Sequence, residues 1–593
     1  DALAAVGSAF TLTTFLTSVF LGLAMGAGAL FAICIGRGDM AALRRAAALA
    51  LCLIGAVTAV LTALVYALLS PILRFLQVPE TLRGDMAGYL RIIFVGLAAT
   101  FLYNFFACLL RAAGNSVVPL VFLGISVVLN IGLDPLLIFG MELGIAGAGW
   151  ATIISQFVSF LLLLAGCDFL AIRGGLGASV ANVSKAYFSA NMFLNHAATN
   201  PVFSFLTSLG DHTDYASEYP FFDEETRAAK FDALRGNGPA SGPSERVLTK
   251  TRPNVVVVIL ESFARTVMDA DVDGRPVMPN MRRLRDEGIW FENFFANSFR
   301  TDRGEVAVLS GFPAQTRMSI MKLPAKSRSL PSLARSLACE GYATSFVYGG
   351  DLNFTNQASY MYATGWQQLV WQRDLRFDTP PSDWGYDDAV MCDWFADRVI
   401  AQSGTGEPFL AGLLTLSSHR PFDVPFSRFD DRELNAFAFA DDCVGRMIDK
   451  LRASPAWDDL LVVLVADHGY PWPRSLSYNE PLRHRIPMIW TGGAVAGPRV
   501  VEEYASQIDI CATILGQLEV AHDDFDYSKD IFAPTPPRKF AYYTFNDGFG
   551  VVDASGEAVW DATSGKAVSE TSPALMDVGR TMLQTTYTDI GNR

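Results

Sequence analysis

Clustered cysteines, a nucleophile-elbow motif and a surplus of basic residues are all missing from this chain of 593 residues. Its eight cysteines stand apart, without a CxxC pair or a Cys/His cluster, so neither a structural zinc site nor a disulfide framework is indicated. The absence of a GxSxG segment argues against a Ser-His-Asp hydrolase. The formal net charge of -14 leaves no basic footprint for nucleic acid, so we expect no nucleic-acid partner.

A signal peptide is also missing, and the chain opens inside an apolar run without an initiator Met, so we expect a fragment. What the chain has in excess is hydrophobic residues, which make up 51% of it and are concentrated in its first part. Up to about residue 167, Leu, Ala, Val, Phe and Gly dominate, whereas the mixed charges and turn residues of a globular domain begin near residue 174. The sequence therefore predicts two parts that meet near residue 170.

The first part contains five apolar runs that are long enough to cross a membrane. They cover residues 8–35, 46–70, 86–112, 117–140 and 147–166. A hydrocarbon core of ~30 Å takes ~20 residues of helix, and the short polar turns between the runs fit the loops of a membrane bundle. The pattern predicts an all-α transmembrane bundle of about five helices over residues 1–167, in an integral protein of a bacterial-type cell membrane.

Two polar residues, Asn130 and Asp134, share one helix face inside the fourth run because they stand at i, i+4. An acid at membrane depth indicates a functional site, while the adjacent Pro135 offers the alternative of a polar group that bonds freed backbone; both interpretations stay open. The segments GLAMGAGALFAICIGRGD, PLVFLGISVVLNIGLDPLLIFG and GIAGAGWATIISQ resemble the N-terminal lobe of the MATE multidrug exporters.

The MATE resemblance implies a cation-coupled transport site that includes Asn130 and Asp134, with Thr152 as a further member and Tyr89 as a weaker match. The first helix of that family and its entire second lobe are missing from this sequence. The transport path of such exporters runs between two lobes, so we expect that one incomplete lobe does not transport by itself. A cation-coupled multidrug antiporter is therefore the runner-up function for this chain.

A connector is predicted over residues 168–250, and it ends in the flexible linker GNGPASGPSER. Between residues 195 and 206, Asn195, His196 and Asn200 stand among apolar residues. One interpretation is a binding site; the favoured one is a docking or membrane-proximal segment.

Polar side chains follow two apolar, β-branched runs in the second part. In NVVVVILESF, which starts after Pro253, the apolar run ends at Glu261. In DLLVVLVADHGY the apolar run ends at Asp467 and His468. Such runs are typical of central parallel strands in an α/β sheet, whose carboxyl ends gather ligands. Carboxylates and an imidazole at one sheet edge suit a divalent ion, although capping of the following helices is the alternative for either strand alone.

The segment Arg300-Thr301-Asp302-Arg303-Gly304 places a hydroxyl just before a predicted helix. Backbone N–H groups at a helix start can hold a phosphoryl oxygen, and coordination to a metal lowers the pKa of a hydroxyl. Thr301 is therefore the candidate nucleophile. A solvated polar turn is the alternative interpretation of this segment alone.

These segments, together with YGGDLNFTN, LSSHRPF, HRIPMIW and SQIDICATIL, resemble the lipoteichoic acid synthase-like "sulfatase" family of the alkaline phosphatase superfamily over about 185–550. The resemblance implies one divalent metal, most readily Mn²⁺ with Mg²⁺ or Zn²⁺ as alternatives, held by Glu261, Thr301, Asp467 and His468. It implies a phospho-threonine intermediate at Thr301. It also implies an alkaline-phosphatase-like α/β domain with a mostly parallel sheet over 251–550, followed by a C-terminal extension over 551–593.

Six polar residues are expected around the substrate. The resemblance assigns the substrate phosphate to His419, and two guanidinium groups of the RTDRG segment are expected to offset phosphoryl charge. NFTNQ has Thr and Gln at the places where polymerising members of the family carry Trp and Arg, so other polar residues of that loop become candidates. For His484 in RHRIPMIW, contact with phosphate and packing in the core are both open. The six are His419, Arg300, Arg303, Asp351, Asn356 and His484.

The function predicted is a metal-dependent phosphotransferase or phosphodiesterase with a membrane phospholipid as donor and a glycan, a lipid or water as acceptor. A sulfuric ester hydrolase is disfavoured because true sulfatases need a Cys or Ser in a C/S-x-P-x-R context and none of the four cysteines of the second part has it. An inactive scaffold is the third alternative. The orientation is contradictory, since the family resemblance places the catalytic domain outside the membrane whereas loop charges lean toward the cytoplasm. The loop residues are Arg37, Arg44, Arg45, Arg111 and Arg173 on one side, and Arg74, Arg83 and Arg91 on the other.

Overall fold

The computed structural model describes residues 2–37, 39–174, 179–208, 213–235, 244–534 and 538–593. Its contacts divide the chain into two compact units, Asp1–Ala181 and Asn182–Arg593. Each unit has hydrophobic clusters of its own, and each is described by itself.

The first unit is all-α, as predicted from its apolar runs. Within the residues that the structure describes, four helices are long and apolar enough to cross a membrane, and a bent pair raises the number of candidate spans to five. The bend of 41° lies at Gly96, between the two helices of this pair. A Cβ at Gly96 would lie 2.9 Å from Ile153 Cγ1, so the bend packs closely against the helix Gly144–Arg173. The helices are α1 (Ala2–Gly36), α2 (Met40–Phe75), α3 (Glu80–Val95), α4 (Leu97–Ala112), α5 (Val117–Pro135) with a π-helical turn (Leu136–Gly140), and α6 (Gly144–Arg173).

The second unit is built on a mostly parallel, eight-stranded sheet within its described residues, in the order β11-β4-β10-β9-β1-β8-β6-β7. The central strands β1 and β9 are parallel and completely buried, which explains their continuous Val, Ile and Leu content. The strands of this sheet are β1 (Asn254–Leu260), β4 (Ile289–Phe291), β6 (Ala343–Tyr348), β7 (Gln368–Trp371), β8 (Phe409–Leu414), β9 (Leu460–Ala466), β10 (Met488–Thr491) and β11 (Arg499–Val501).

Smaller sheets and the helices of the second unit surround this core. The short pairs are β2 (Asp271–Val272) with β3 (Arg275–Pro276) and β5 (Phe294–Phe295) with β12 (Ala505–Ser506); an antiparallel sheet contains β13 (Ala541–Phe545), β14 (Gly548–Asp553), β15 (Gly556–Asp561) and β16 (Lys566–Glu570). The helices are α7 (Met192–Ala198), α8 (Pro201–Ser208), α9 (Glu224–Arg235), α10 (Arg265–Met268), α11 (Pro279–Glu287), α12 (Thr301–Ser310), α13 (Pro324–Ser327), α14 (Leu333–Cys339), α15 (Gln357–Ala363), α16 (Asp388–Ser403), α17 (Arg432–Arg452), α18 (Pro481–His484), α19 (Ile510–Gln517) and α20 (Pro573–Asn592).

The C-terminal residues fold into this second unit. β14 passes through residue 550, where the sequence suggested a boundary, and α20 packs against β14, β15 and α9. The hydroxyl of Tyr587 in α20 is 2.8 Å from Thr316 Oγ1, which ties the last helix to the segment that follows α12. The last strands and α20 therefore belong to the packed body of the second unit.

Candidate active site

The two carboxylates predicted at strand ends leave the sheet side by side. Leu260 and Ala466 are register partners at the ends of β1 and β9, and Glu261 and Asp467 are the next residues of each chain segment. Both side chains are buried, with the residues 4% and 0% exposed. Parallel pairing in register thus brings together two carboxylates that are 206 positions apart in the numbering.

Asp467 is held by backbone donors on one of its oxygens. Its Oδ1 accepts hydrogen bonds from the N–H groups of Ser262 at 2.6 Å and His468 at 2.7 Å. Ser262 reaches this position with a left-handed backbone, at φ 59°. Oδ2 is buried and has no hydrogen-bond partner among the described residues. The carboxylate is therefore fixed in orientation while one oxygen remains available to a ligand.

His468 points its distal nitrogen at the same carboxylates. Nε2 lies 3.5 Å from Asp467 Oδ2 and 3.8 Å from Glu261 Oε1, while Nδ1 is 3.3 Å from the carbonyl of Gly469. An Nδ1–H that donates to a carbonyl leaves the lone pair on Nε2, which is the arrangement of a metal-binding histidine.

Thr301 is the first residue of α12, and its hydroxyl donates to Glu261 Oε2 at 3.2 Å. The helix start can approach the end of β9 because residue 304 is glycine: a Cβ there would lie 2.1 Å from the carbonyl oxygen of Asp467. Residues three apart lie on one helix face, so Gly304 and Thr301 face the same strand end. The predicted nucleophile is therefore positioned by a close backbone contact.

The electrostatics of this cluster favour a cation. Burial, and next the charge of Asp467, raise the pKa of Glu261, and burial also raises the pKa of Asp467. Burial lowers the pKa of His468, which favours the neutral imidazole that metals bind. One ligand atom from each of Glu261, Asp467 and His468 lies within 4.8 Å of the others. Together with the unpartnered Oδ2, this donor set fits a divalent ion.

A cavity of about 440 Å³ opens beside these groups. Two residues predicted to contact the substrate, Arg300 and His419, line it, and so do Thr355 and Gln357. His419 Nδ1 lies 2.7 Å from the carbonyl of Arg420, and its ring centroid is 4.4 Å from that of Trp384. An Nδ1–H donated to this carbonyl leaves Nε2 for the substrate.

Four other predicted substrate contacts lie elsewhere. Arg303 is 5% exposed, with its guanidinium 5.1 Å from the Phe299 ring and 3.5 Å from Ser298 Oγ. Asn356 is buried at the start of α15 with φ 69°. Asp351 lines a separate cavity of about 540 Å³, with Trp371 and Arg373 among its other residues.

The fourth, His484, is a buried packing residue. Its ring stacks on Tyr543 at 4.0 Å, and Nε2 is 2.8 Å from the carbonyl of Tyr478. Burial is the main reason why its pKa is lowered to about 3. These contacts agree with the core-packing alternative that the sequence left open.

Several residues of the site were missed by the sequence reasoning. Ser262 donates from Oγ to Glu261 Oε1 at 2.7 Å, and its place directly after the strand-end glutamate was the available signal. Lys322, Arg420 and Arg483 add positive charge to the cavity wall, while Trp384 covers His419. Arg420 and Arg483 stand next to His419 and His484 in the quoted motifs, which was the available signal for them, whereas no local pattern marks Lys322 or Trp384.

Glu305, one turn after Thr301, is also unexpected. It is 0% exposed, and both carboxylate oxygens lack a hydrogen-bond partner among the described residues. Burial, and then Asp467, raise its pKa well above the ordinary value. The buried site therefore contains a third carboxyl group behind the two strand-end carboxylates.

The predicted polar residues of the first unit are not joined to one another by hydrogen bonds in the part of the chain that the structure describes. Asn130 has a buried amide nitrogen without a partner in the described part of the chain, whereas the hydroxyl of Thr152 donates to Ala148 O of its own helix at 3.0 Å. Asp134 is half-buried, and no described hydrogen bond joins it to Asn130 or Thr152. A cation-coupling site here stays a prediction.

Comparison with known proteins assigns both parts of the chain. The family model described as Sulfatase matches residues 253–520, which include Glu261, Thr301, Asp467 and His468. Residues 253–520 form a sulfatase-family domain. The family model described as MatE matches residues 1–136. Both resemblances inferred from sequence motifs are thereby confirmed.

Relatives of the sulfatase-family domain include enzymes named for phosphoglycerol transfer. Phosphoglycerol transferase I of Xanthomonas axonopodis pv. citri is 26% identical over 313 residues, covering 48% of this chain and 43% of that protein. Lipoteichoic acid synthase 2 of Bacillus subtilis is 24% identical over 307 residues, covering 46% of each. The chain thus spans less than half the length of these relatives.

The other comparisons concern the first unit and the fold. Probable multidrug resistance protein YoeA of Bacillus subtilis is 36% identical over 171 residues, covering 28% of this chain and 36% of that protein. A solved protein of the alkaline phosphatase superfamily from Vibrio parahaemolyticus is similar with a TM-score of 0.56 and 22% identity, covering 63% of this chain and 97% of that one. This likeness confirms the predicted alkaline-phosphatase-like fold.

Proposed function

We propose that the chain is a membrane-anchored, metal-dependent phosphotransferase or phosphodiesterase that acts on phospholipid headgroups through Thr301. The observation that carries the proposal is the Thr301 hydroxyl at a helix start, 3.2 Å from Glu261 Oε2 and beside the cluster of Glu261, Asp467 and His468. Relatives named for phosphoglycerol transfer support the substrate class.

The residues that would hold the metal are Glu261, Thr301, Asp467 and His468. When bound, a divalent ion, with Mn²⁺ as our first choice, lowers the pKa of a coordinated hydroxyl and offsets phosphoryl charge. Asp467 keeps its orientation through the N–H groups of Ser262 and His468, so this ligand is fixed before substrate arrives.

The chain's own residues divide the chemistry of a two-step displacement. Thr301 Oγ1 passes its proton to Glu261 Oε2, which accepts its hydrogen bond, and attacks phosphorus. The bond between phosphorus and the diacylglycerol oxygen breaks, and the headgroup phosphate stays on Thr301 until a glycan hydroxyl, a lipid hydroxyl or water displaces it and Thr301 Oγ1 takes its proton back. His419 on the cavity wall would protonate the leaving oxygen and assist the incoming one. Arg300, Lys322 and Arg483 would neutralise the equatorial phosphoryl oxygens.

The test uses the full chain in lipid nanodiscs with fluorescent phosphatidylglycerol, and it follows diacylglycerol release. Thr301→Ala should lose several orders of magnitude of turnover, because the enzyme loses its covalent route. Thr301→Ser, which keeps the hydroxyl, should retain measurable turnover. Wild-type turnover by the alanine variant would overturn the proposal.

A further inference from the structure

A surface of exposed aromatic side chains begins directly after the helical unit. Within residues 182–205, here called the aromatic segment, Phe193 is 76% exposed, Phe205 61% and Phe188 52%. Leu194 and Val202 are exposed beside them. Large exposed apolar patches on a folded protein mark a binding surface. The remaining exposed large hydrophobic residues described in this unit are scattered: Phe354, Tyr478, Leu482, Val500 and Val568.

The aromatic segment is a rigid part of the second unit. Asn195 is 0% exposed; its Oδ1 accepts from the N–H groups of Phe188 at 3.0 Å and Ser189 at 3.1 Å, and its Nδ2 donates to Ser189 O. Tyr187 is buried in the main core of the unit. The local bonds of Asn195 and the burial of Tyr187 fix the backbone around Phe188, and the aromatic rings of the segment are exposed in this structure.

The same segment is bonded to the loop that forms one wall of the active-site cavity. Asn182 Nδ2 donates to Asn353 O at 2.7 Å, and the N–H of Ser359 donates to Ser184 Oγ at 2.9 Å. Between these two anchor points lie Phe354, Thr355 and Gln357, which line the cavity. The start of the aromatic segment is thus joined to a loop that lines the cavity.

The charge of the aromatic segment and its position in the chain indicate a lipid bilayer as the partner. Residues 179–208 contain no Asp or Glu, and Lys185 is their one Lys or Arg, although the chain as a whole carries a net charge of -14. The aromatic segment begins nine positions after Arg173, the end of the last membrane-length helix α6. An aromatic face without acidic residues suits the headgroup and upper acyl region of an anionic bilayer.

We propose that the aromatic segment inserts into the lipid surface and presents the cavity to phospholipid headgroups. Insertion itself is independent of the chemistry at Thr301, whereas delivery of lipid to the cavity rests on the proposed function. Two of the scattered exposed residues, Phe354 and Tyr478, line the cavity and would extend the apolar contact to its mouth.

Photo-crosslinking of the full chain in nanodiscs with anionic lipid tests the insertion. The probe p-benzoylphenylalanine replaces Phe193 or Phe205, and in the control it replaces Val568, an equally apolar residue that is 52% exposed on β16. Because interfacial side chains lie ~5–10 Å deep, we expect at least about tenfold more phospholipid adduct at positions 193 and 205 than at 568. Adducts to residues 1–181, adducts to a second copy, or no adduct would each overturn the proposal.

A comparison of turnover on bilayer and soluble substrates tests lipid insertion separately from the chemistry proposed at Thr301. In a Phe193→Ser and Phe205→Ser double variant, the ratio of turnover on bilayer phosphatidylglycerol to turnover on a soluble phosphodiester should fall about tenfold. An unchanged ratio would refute delivery of lipid. If the parent protein turns over neither substrate while lipid adducts form, the proposed chemistry fails and the insertion stands.

Discussion

Gly304→Ala is the perturbation that tests the architecture of the site most sharply, because it adds one methyl group where α12 touches the end of β9. The new Cβ would lie 2.1 Å from the Asp467 carbonyl oxygen, whereas real Cβ contacts are essentially never shorter than 3.0 Å. The helix start must therefore retreat by about 1 Å. Thr301 is on the same face, and its hydrogen bond to Glu261 is already 3.2 Å long.

A displacement of about 1 Å at a reacting group costs about 100-fold in rate, so we expect that loss in kcat/KM for diacylglycerol release. Overpacking should cost about 1–3 kcal/mol of stability, so the variant should remain folded, as a thermal denaturation curve would show. Gly404→Ala is the matched control, since Gly404 has φ −68° and its Cβ would meet Ala401 O at 3.3 Å. Parental turnover by a folded Gly304→Ala variant would show that the contact does not position Thr301.

Three further predictions follow from particular groups. Chelator treatment should abolish turnover, and added Mn²⁺ should restore turnover and raise Tm. The Glu261→Gln variant should show no rise in Tm with Mn²⁺. A parent protein whose Tm does not depend on metal would contradict the metal site. His419→Ala should cost about 100-fold with a diacylglycerol leaving group but little with p-nitrophenolate, whereas equal losses would exclude proton donation by His419. Burial raises the pKa of Asp441 to about 6 in the folded state, above ~4 when unfolded. The folded state then binds this proton more tightly, so the contribution of Asp441 to stability is greatest below pH ~4, falls by up to about 3 kcal/mol toward pH ~6 and then levels off. Asp441→Asn should remove this fall in urea titrations, and an unchanged pH profile would refute it.

The sequence predicts the elements whose pattern is local. The Val-rich runs that end in Glu261 and Asp467 are buried parallel strands, and Thr301 begins a helix, because residue type and periodicity act within each segment. The apolar runs of the first part are membrane-length helices for the same reason, although the third run is bent after Val95.

Long-range packing decides what the sequence could not show. The sequence left phosphate contact and core packing both open for His484, and its stacking on Tyr543 of β13 depends on a residue that is distant in the chain. Asp351 stands near Thr355 in the chain, yet it lines another cavity, and the loop between Asp351 and α15 turns through positive φ at Thr355 and Asn356. The fit of Gly304 against Asp467 depends on two elements separated by more than 150 residues.

A phosphorylated Thr301 is the central claim, and intact-protein and peptide mass spectrometry test it most directly. The full chain is mixed with phosphatidylglycerol in the presence of Mn²⁺ and quenched in acid within the first turnovers. We predict a headgroup phosphate adduct on the peptide that contains Thr301, formed by the parent and missing from Thr301→Ala. Rapid turnover without an adduct on that peptide, or an adduct on another residue, would contradict the account.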